Sequence, residues 1–220
     1  MIVLYHCISA RSLRPLWALE EMGVPYTLKM LPFPPRAHDK SYFAENPLGT
    51  IPLMIDGETR MTESAAISQY LAARFSPRGL NVEMDEADYG AYLNFLHFGE
   101  ATLTFPQTLV LRYSRFEPDE RKQPQVVEDY AKWFLARLKT LEARLETRDF
   151  LCADRFTAAD ISVGYALLLA QLLGLDAQFL PHVAAYWQRL QQLPSYKRAM
   201  AAQDAAAQAQ GVSTKRATDA

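Results

Sequence analysis

Apolar residues follow different patterns in the first third of the chain and in the rest. Residues 2–5 and 26–31 have the composition of strands, whereas residues 13–21 carry apolar side chains at helical spacing. Gly23 and Pro25 separate this helix from the second strand. The order predicts a strand, a helix and a second strand that together form one unit.

A loop and a hairpin are predicted next. Prolines at positions 32, 34 and 35 favour an irregular loop. Residues 52–55 and 59–61 flank Asp56-Gly57, a dipeptide typical of tight hairpin turns. A helix over residues 63–75 is predicted to follow the hairpin and to close this part of the chain.

After a turn-rich, acidic segment, the pattern is helical throughout. Candidate helices span residues 87–113, 118–146, 157–173 and 181–193. Pro106 is expected to kink or split the first of these helices, and Pro124 to delay the start of the second. The alanine- and glutamine-rich tail from residue 201 either extends the last helix or frays.

The composition is that of an ordinary folded protein of one or two domains, with 220 residues, 50% of them hydrophobic and 22% charged. Lys and Arg number 23 against 25 Asp and Glu, a net charge of -2. No global field therefore draws the chain to nucleic acid or to an anionic membrane, and a small molecule or a protein is the expected partner.

Several classes of site are excluded by spacing. No two of the nine glycines are two positions apart, so a G-x-G-x-x-G dinucleotide loop is absent. Cys7 and Cys152 lie far apart and outside any C-x-x-C motif, which argues against a zinc site and a disulfide framework. No basic and apolar leader opens the sequence, and a reducing, cytoplasmic location is expected.

The first candidate site is the start of the helix over residues 13–21. Proline is tolerated only in the first turn of a helix, so Pro15 places the start close to Ser12. A helix amino terminus offers N–H groups and a positive dipole end, which stabilise an anion such as a thiolate. Ser12 is therefore either a simple cap or part of an anion site.

The second and third candidates lie further along. Ser64 offers a hydroxyl and an N–H to a carboxylate, while Glu63 can accept from an ammonium group, although both residues are also common in first helical turns. A cis Ile51-Pro52 bond would turn the Ile51 main chain towards an extended peptide ligand, and a trans proline at a strand start is the alternative.

These features, in this order and before an all-helical second half, resemble the cytosolic glutathione S-transferase family, including its bacterial members. The resemblance spans about residues 1–200. Residues 19–26 are similar to the family's first helix and second strand, 46–52 to its cis-proline loop, 63–67 to its γ-glutamyl-binding motif and 156–161 to its capping box.

The resemblance implies an α/β domain followed by an all-α domain. The expected division is a thioredoxin-like, glutathione-binding domain of order βαβαββα at 1–77, a linker at 78–88, a helical domain that forms the electrophile pocket at 89–205, and a flexible tail at 206–220. It further implies a cytoplasmic homodimeric enzyme of detoxification that uses glutathione as co-substrate and needs no metal.

The implied reaction is attack of the glutathione thiol on an apolar electrophile. Glutathione-dependent isomerase, dehalogenase or β-aryl etherase chemistry is an alternative, as is a non-catalytic glutathione-binding module. By resemblance, Glu63 and Ser64 would hold the γ-glutamyl group, and Ile51 with Pro52 the cysteinyl backbone. Thr50 and His38 would lie near the glycyl end.

The thiol-activating residue departs from the family's pattern. Counting back from Arg14 in the motif S-x-x-x-R reaches Ala10, which has no hydroxyl. The S-L-x-P pattern of cysteine-type and etherase-like members instead places Arg11 at the cysteine position, with Ser12 beside it. Ser12 is predicted to activate the thiol. Ser9 and a main-chain N–H are the alternatives, and Arg11 would add positive potential.

The electrophile pocket is expected in the helical domain. Phe105, Leu109, Tyr113 and Arg115 are its candidate residues, although an aromatic series at helical spacing is also typical of a core. Neither cysteine stands where a nucleophile is expected, so glutathione is predicted to supply the reactive sulfur.

Overall fold

The computed structural model describes residues 1–76 and 78–219. Residues 77 and 220, which end the expected first domain and the expected tail, lie outside the described residues. The chain divides into two compact units. The first comprises Met1–Ser76 together with Leu193–Asp219, and the second comprises residues 78–192.

A four-stranded sheet forms the centre of the first unit. Its strands are β1 (Ile2–His6), β2 (Tyr26–Met30), β3 (Leu53–Asp56) and β4 (Thr59–Met61), in the order β2-β1-β3-β4. Strand β1 runs parallel to β2 and antiparallel to β3, which forms the predicted hairpin with β4. The parallel pair results from the predicted strand, helix and strand unit.

Nine α-helices are described in the chain outside residues 77 and 220. They are α1 (Leu13–Met22), α2 (Pro35–His38), α3 (Ser64–Phe75), α4 (Tyr89–His97), α5 (Phe105–Leu111), α6 (Pro124–Leu145), α7 (Ala158–Leu172), α8 (Pro181–Gln192) and α9 (Pro194–Ala209). Shorter 3-10 turns include Lys40–Ala44, directly after α2. None of the described helices is long and apolar enough to span a membrane.

Helix α1 is the buried helix of the first unit. Its residues from Leu13 to Leu19 are buried, and it packs against α3 and α9. The indole of Trp17 donates to Ser195 Oγ at 3.1 Å and stacks edge-on with the ring of Tyr196 at 4.9 Å. The helix ends at Gly23, whose φ of 64° is the left-handed conformation that glycine adopts without a steric cost.

The carboxyl-terminal residues differ from the expected division. The helical domain was predicted to reach residue 205 and a flexible tail to follow, whereas Leu193–Asp219 pack with the first unit. The side chain of Gln210 explains part of this, because it accepts from Met30 N–H at 2.8 Å and donates to the Leu28 carbonyl at 2.9 Å. One amide thus satisfies two main-chain groups on the outer edge of β2.

The second unit is helical, with α7 buried along almost its whole length. The predicted capping box is present at its start, where Thr157 and Asp160 bond reciprocally. The predicted helix over residues 87–113 is divided into α4, a π-helical segment at Phe98–Thr104, and α5. Pro106 is the second residue of α5, directly after the π-helical segment, so the division of the predicted helix falls next to this proline.

The start of α6 at Pro124 agrees with the expected delay. The loop expected around the three prolines contains α2, which matches the second helix of the order βαβαββα implied by the resemblance, and the 3-10 turn Lys40–Ala44, which was not predicted. Proline spacing predicts a break in regular structure but not the single turns that form between the breaks.

Candidate active site

The segment between β1 and α1 is closed by short-range hydrogen bonds. Cys7 N–H donates to Ser12 Oγ at 3.3 Å, Ala10 N–H donates to the Cys7 carbonyl at 3.1 Å, and Leu13 N–H donates to the Ala10 carbonyl at 2.8 Å. Ser9 has a φ of 51°, in the left-handed region that non-glycine residues rarely adopt. We call residues 7–12 the α1 loop.

The predicted activating hydroxyls point into the protein. Ser12 is 0% exposed and its Oγ accepts from Cys7 N–H, so this hydroxyl holds the α1 loop. Ser9 is 7% exposed, and its Oγ is buried without a hydrogen-bond partner among the described residues. Among residues 7–13, Arg11 is the one residue that is not buried. Both hydroxyls are therefore buried in this conformation, and activation of the thiol by one of them stays a prediction.

A residue from the far end of the chain contacts the α1 loop. Gln203, on α9, accepts from Ser9 N–H at 2.9 Å, and the same oxygen lies 2.9 Å from His6 Nε2. Burial lowers the pKa of His6 to about 4, although the hydrogen bond to Gln203 and the Ser12 main chain partly oppose this shift. Sequence patterns did not reveal this contact, because the residues lie at opposite ends of the chain.

Helix α3 begins at the second candidate site. Glu63 is its N-cap and is exposed, whereas Ser64 is buried. The fully buried guanidinium of Arg14 donates to Ser64 Oγ at 3.0 Å. This bond joins the first turns of α1 and α3, so the thiolate candidates and the γ-glutamyl candidates belong to one arrangement. The sequence motif that includes Arg14 did not indicate this partner.

The third candidate site is the loop before β3. Ile51-Pro52 is a cis peptide bond, as is Phe33-Pro34. The Thr50 carbonyl accepts from Tyr42 Oη at 2.9 Å and from Asn46 Nδ2 at 2.8 Å. Two buried side chains therefore hold the main chain directly before Ile51, and Thr50 itself is exposed.

Gly49 makes this loop possible. Its φ is 60°, and a Cβ at this position would lie 2.7 Å from Phe43 Cε1 and 2.9 Å from Arg36 Cβ. Only glycine combines that backbone conformation with such a close approach. His38, predicted near the glycyl end of the ligand, is exposed at the end of α2.

The electrophile candidates lie on one part of the second unit. Phe105 and Leu109 are one turn apart on α5, and Tyr113 and Arg115 follow in the π-helical segment Arg112–Phe116. Phe105 is 56% exposed, Leu109 and Tyr113 are half-buried, and Arg115 is exposed. Helical spacing alone also allowed these residues to be core residues. Phe105, Leu109 and Tyr113 are not buried, so they do not belong to the core.

Two open grooves of the second unit lie elsewhere. One, of about 400 Å³, is lined by Leu93, Asn94, His97, Phe98, Ala101 and Thr102. The other, of about 320 Å³, is lined by Lys139, Glu142, Ala143, Glu146, Leu180 and His182. Neither groove includes a predicted ligand-binding residue. Within residues 1–76 and 78–219, no group of three or more His, Cys, Asp or Glu is arranged to hold a metal ion.

Comparison with family models identifies both halves of the chain. Residues 8–74 match the glutathione S-transferase amino-terminal domain, and residues 106–194 match the glutathione S-transferase carboxyl-terminal domain. The chain belongs to the glutathione S-transferase family. The predicted family and the predicted enzyme are therefore confirmed.

Individual glutathione S-transferases support the assignment over nearly the whole chain. GstA of Escherichia coli O157:H7 is 29% identical over 205 residues, covering 91% of this chain and 98% of the relative. Glutathione S-transferase 4 of Zea mays is 30% identical over 190 residues, covering 83% of each chain. A glutathione transferase structure from Methylococcus capsulatus superposes with a TM-score of 0.82 at 24% identity, covering 93% of this chain and 100% of the other.

The solved structure confirms the fold, a thioredoxin-like domain with a helical domain. In this glutathione S-transferase, both cysteines are buried, and their thiols stay protonated at neutral pH. Burial raises the pKa of Cys152 to about 12 and also raises the pKa of Cys7. A thiol held in its neutral form is a poor nucleophile, so these two side chains serve as apolar packing groups.

Proposed function

We propose that this glutathione S-transferase stabilises the glutathione thiolate at the amino-terminal end of α1, for attack on an apolar electrophile. The observation that carries the proposal is the position of Arg11. It is the one residue of the segment 7–13 that is not buried, and it precedes the first turn of α1. A permanent positive charge beside the positive end of a helix dipole favours the thiolate over the thiol.

The serines of the α1 loop act on this site indirectly. Ser12 Oγ accepts from Cys7 N–H and thereby sets the path of the chain that presents Arg11. The competing assignment, predicted from the sequence, has the hydroxyl of Ser12 or of Ser9 donate directly to the sulfur. For Ser12 that contact is compatible with the bond from Cys7 N–H, because a hydroxyl donates through its own hydrogen while its oxygen accepts. It requires the buried hydroxyl to reach the sulfur.

The remainder of glutathione is assigned to two loops of the same unit. Glu63 and Ser64 hold the γ-glutamyl group at the start of α3, where a carboxylate meets the positive end of the helix. The Ile51 main chain, next to cis Pro52, pairs with the cysteinyl backbone. Thr50 and His38 lie at the glycyl end. The bonds from Tyr42 and Asn46 to the Thr50 carbonyl support this loop before glutathione binds.

The deciding experiment compares two variants by the pKa of enzyme-bound glutathione, read from the ultraviolet absorbance of the thiolate. We expect Arg11→Ala to raise this pKa by about one unit, because removal of one nearby charge costs roughly 1 kcal/mol. Ser12→Ala should produce a smaller shift. Arg121→Ala, in the second unit, is the control for loss of one exposed charge.

The opposite result would favour a direct contact between the serine hydroxyl and the sulfur. If Ser12→Ala raises the bound-thiol pKa more than Arg11→Ala does, the hydroxyl itself contacts the sulfur. If glutathione fails to bind to the wild type, or if Glu63→Ala leaves binding unchanged, the ligand assignment is wrong.

The electrophile is proposed to contact Phe105, Leu109, Tyr113 and Arg115. A panel of aryl halides, epoxides, enones and aryl ethers separates conjugation from isomerase, dehalogenase and etherase chemistry, because these reactions share the thiolate and differ in the bond that breaks. Tight glutathione binding without turnover of any of them would indicate a binding module.

Oligomeric state and location complete the proposal. We propose a cytoplasmic homodimer, as is usual in the family, and the two buried free cysteines are compatible with a reducing compartment. Light scattering of the purified protein at several concentrations tests the dimer, and a monomer throughout the range would contradict it.

A further inference from the structure

Gln203 is a buried polar residue of α9 that contacts the candidate active site. Its side chain is 1% exposed, and its Oε1 accepts from Ser9 N–H across 194 positions of sequence. The same oxygen lies 2.9 Å from His6 Nε2, at the end of β1. All three residues belong to the first compact unit. A buried amide is costly unless its polar atoms are paired, so this side chain has a defined partner set.

The contacts of Gln203 with Ser9 and His6 determine which atoms donate and which accept. A main-chain N–H only donates, so the Gln203 atom that faces Ser9 is the oxygen and not the nitrogen. That oxygen only accepts, so His6 Nε2 carries the proton that points at it. His6 is fully buried, which keeps its imidazole neutral at neutral pH. The Gln203 oxygen therefore holds both His6, which precedes Cys7, and Ser9, which follows it.

Two main-chain donors of the α1 loop have local acceptors, and the Cys7 thiol donates to the Pro32 carbonyl at 3.7 Å. The bonds from Cys7 N–H and Ala10 N–H both end within residues 7–12. The bond from Ser9 N–H to Gln203 connects the loop to a separate helix, at the residue with a φ of 51°. Ile8 packs against Ala207, one turn further along α9, so polar and apolar contacts hold the same stretch. A left-handed residue persists where surrounding structure holds it.

We propose that Gln203 is a positioning residue for the glutathione thiolate, because it holds Ser9 and His6 and thereby fixes the α1 loop that presents Arg11. The inference rests on the proposed thiolate site. Gln203 touches neither glutathione nor the electrophile in this assignment. Its contribution is to keep the positive end of α1 and Arg11 at one position relative to the sulfur, where a small displacement weakens the electrostatic stabilisation.

The test replaces Gln203 by leucine, which keeps the approximate size and removes the acceptor. We expect Gln203→Leu to raise the pKa of enzyme-bound glutathione and to lower kcat at neutral pH about tenfold. The lost rate should return as pH rises towards the new thiol pKa. KM for glutathione should change less than about twofold, since Glu63 and Ser64 lie on another helix.

Two further variants isolate the acceptor. Gln203→Glu retains an oxygen for both donors, and we expect its bound-thiol pKa to lie closer to that of the wild type than that of Gln203→Leu does. Gln208→Leu makes the same substitution at an exposed position of α9, and it should match the wild type in both kcat and thiol pKa. If Gln203→Leu does not fold, Gln203→Asn, which withdraws the acceptor by one methylene group, takes its place.

Specific outcomes would overturn the inference. A Gln203→Leu protein with an unchanged thiol pKa, or one that loses the same fraction of kcat at every pH, would show a role in stability alone. Equal behaviour of Gln203→Leu and Gln203→Glu would show that the acceptor is irrelevant. If wild-type enzyme does not lower the glutathione pKa at all, the proposed thiolate site fails, and the role of Gln203 fails with it.

Discussion

Gln203 in the first compact unit and Asp160 in the second are buried polar side chains with several hydrogen bonds, and they differ in what they hold. In the first unit, Gln203 bonds Ser9 and His6 and holds an irregular loop with a left-handed residue. In the second, Asp160 accepts from Thr157 N–H, Thr157 Oγ1, Leu151 N–H and Tyr186 Oη, at 2.8 to 2.9 Å. These contacts hold the start of a regular helix.

A buried hydrogen-bond acceptor thus supports a candidate site in the first unit and a structural helix in the second. Asp160 satisfies the Thr157 donors at the amino end of α7 together with donors of Leu151 and Tyr186, so its contribution is to stability. Gln203 satisfies a loop next to half-buried Arg11, so its contribution reaches the surface where glutathione is expected. Substitution of Asp160 should therefore change stability, and substitution of Gln203 should also change activity.

The largest expected effect is that of Asp160→Ala. It removes an acceptor from four buried donors, and we expect the free energy of unfolding to fall by about 3–5 kcal/mol. Urea denaturation measures the change. Asp149→Ala is the matched control, because its carboxylate is 76% exposed and pairs with Arg189, and it should cost less than about 0.5 kcal/mol. Similar losses in the two variants would refute the assigned role of Asp160.

The second prediction concerns His6 and pH. Its pKa in the folded protein is about 4 against an ordinary value of 6.5, so the unfolded chain binds this proton first as the pH falls. The His6 contribution to stability is complete above pH 6.5 and is lost towards pH 4, a decrease of roughly 3 kcal/mol.

Replacement by glutamine checks this contribution, since its amide nitrogen approximates the position of His6 Nε2. Denaturation curves for the wild type and His6→Gln should converge as the pH falls through this window. Parallel pH profiles would show that another group is responsible.

A pair of glycines tests packing in the second unit. A Cβ on Gly99 would lie 2.5 Å from Ser162 Oγ and 2.6 Å from the Ser162 carbonyl carbon, so Gly99→Ala should destabilise the protein by about 2 kcal/mol. Gly90, on α4, has no atom within 4 Å of the same position. Gly90→Ala should be stabilising by up to about 0.5 kcal/mol. Changes of the same sign in the two thermal melts would contradict this account.

The smallest effect on stability is expected in the loop before β3, where glutathione is proposed to bind. Gly49 and Gly57 have φ of 60° and 61°, but only Gly49 has neighbours close to an added Cβ, among the described residues. Gly49→Ala should cost about 1 kcal/mol more than Gly57→Ala and should also raise KM for glutathione severalfold. Equal KM values for the two variants would show that this loop does not take part in glutathione binding.

Much of the secondary structure could be predicted from local patterns. The strands, the hairpin at Asp56-Gly57, the capping box at Thr157 and Asp160, and the start of α6 at Pro124 each depend on residues close together in sequence. Helix α9 was missed as a part of the first unit, because alanine and glutamine residues carry no strong periodic pattern. The contacts of buried Gln203 and exposed Gln210 could not be predicted from local patterns, because their partners are on β1, the α1 loop and β2.

The sequence by itself determined the family, the order of the elements and the loops where glutathione is expected, because motifs such as 46–52 and 63–67 encode local turns and helix starts. Only the tertiary structure decided which groups of the α1 loop face outward. Ser12 and Arg11 are neighbours in sequence, yet one is enclosed and bonded to Cys7 while the other is half-buried. Burial depends on how distant segments pack, and a hydroxyl acquires its function only from the partner it meets there.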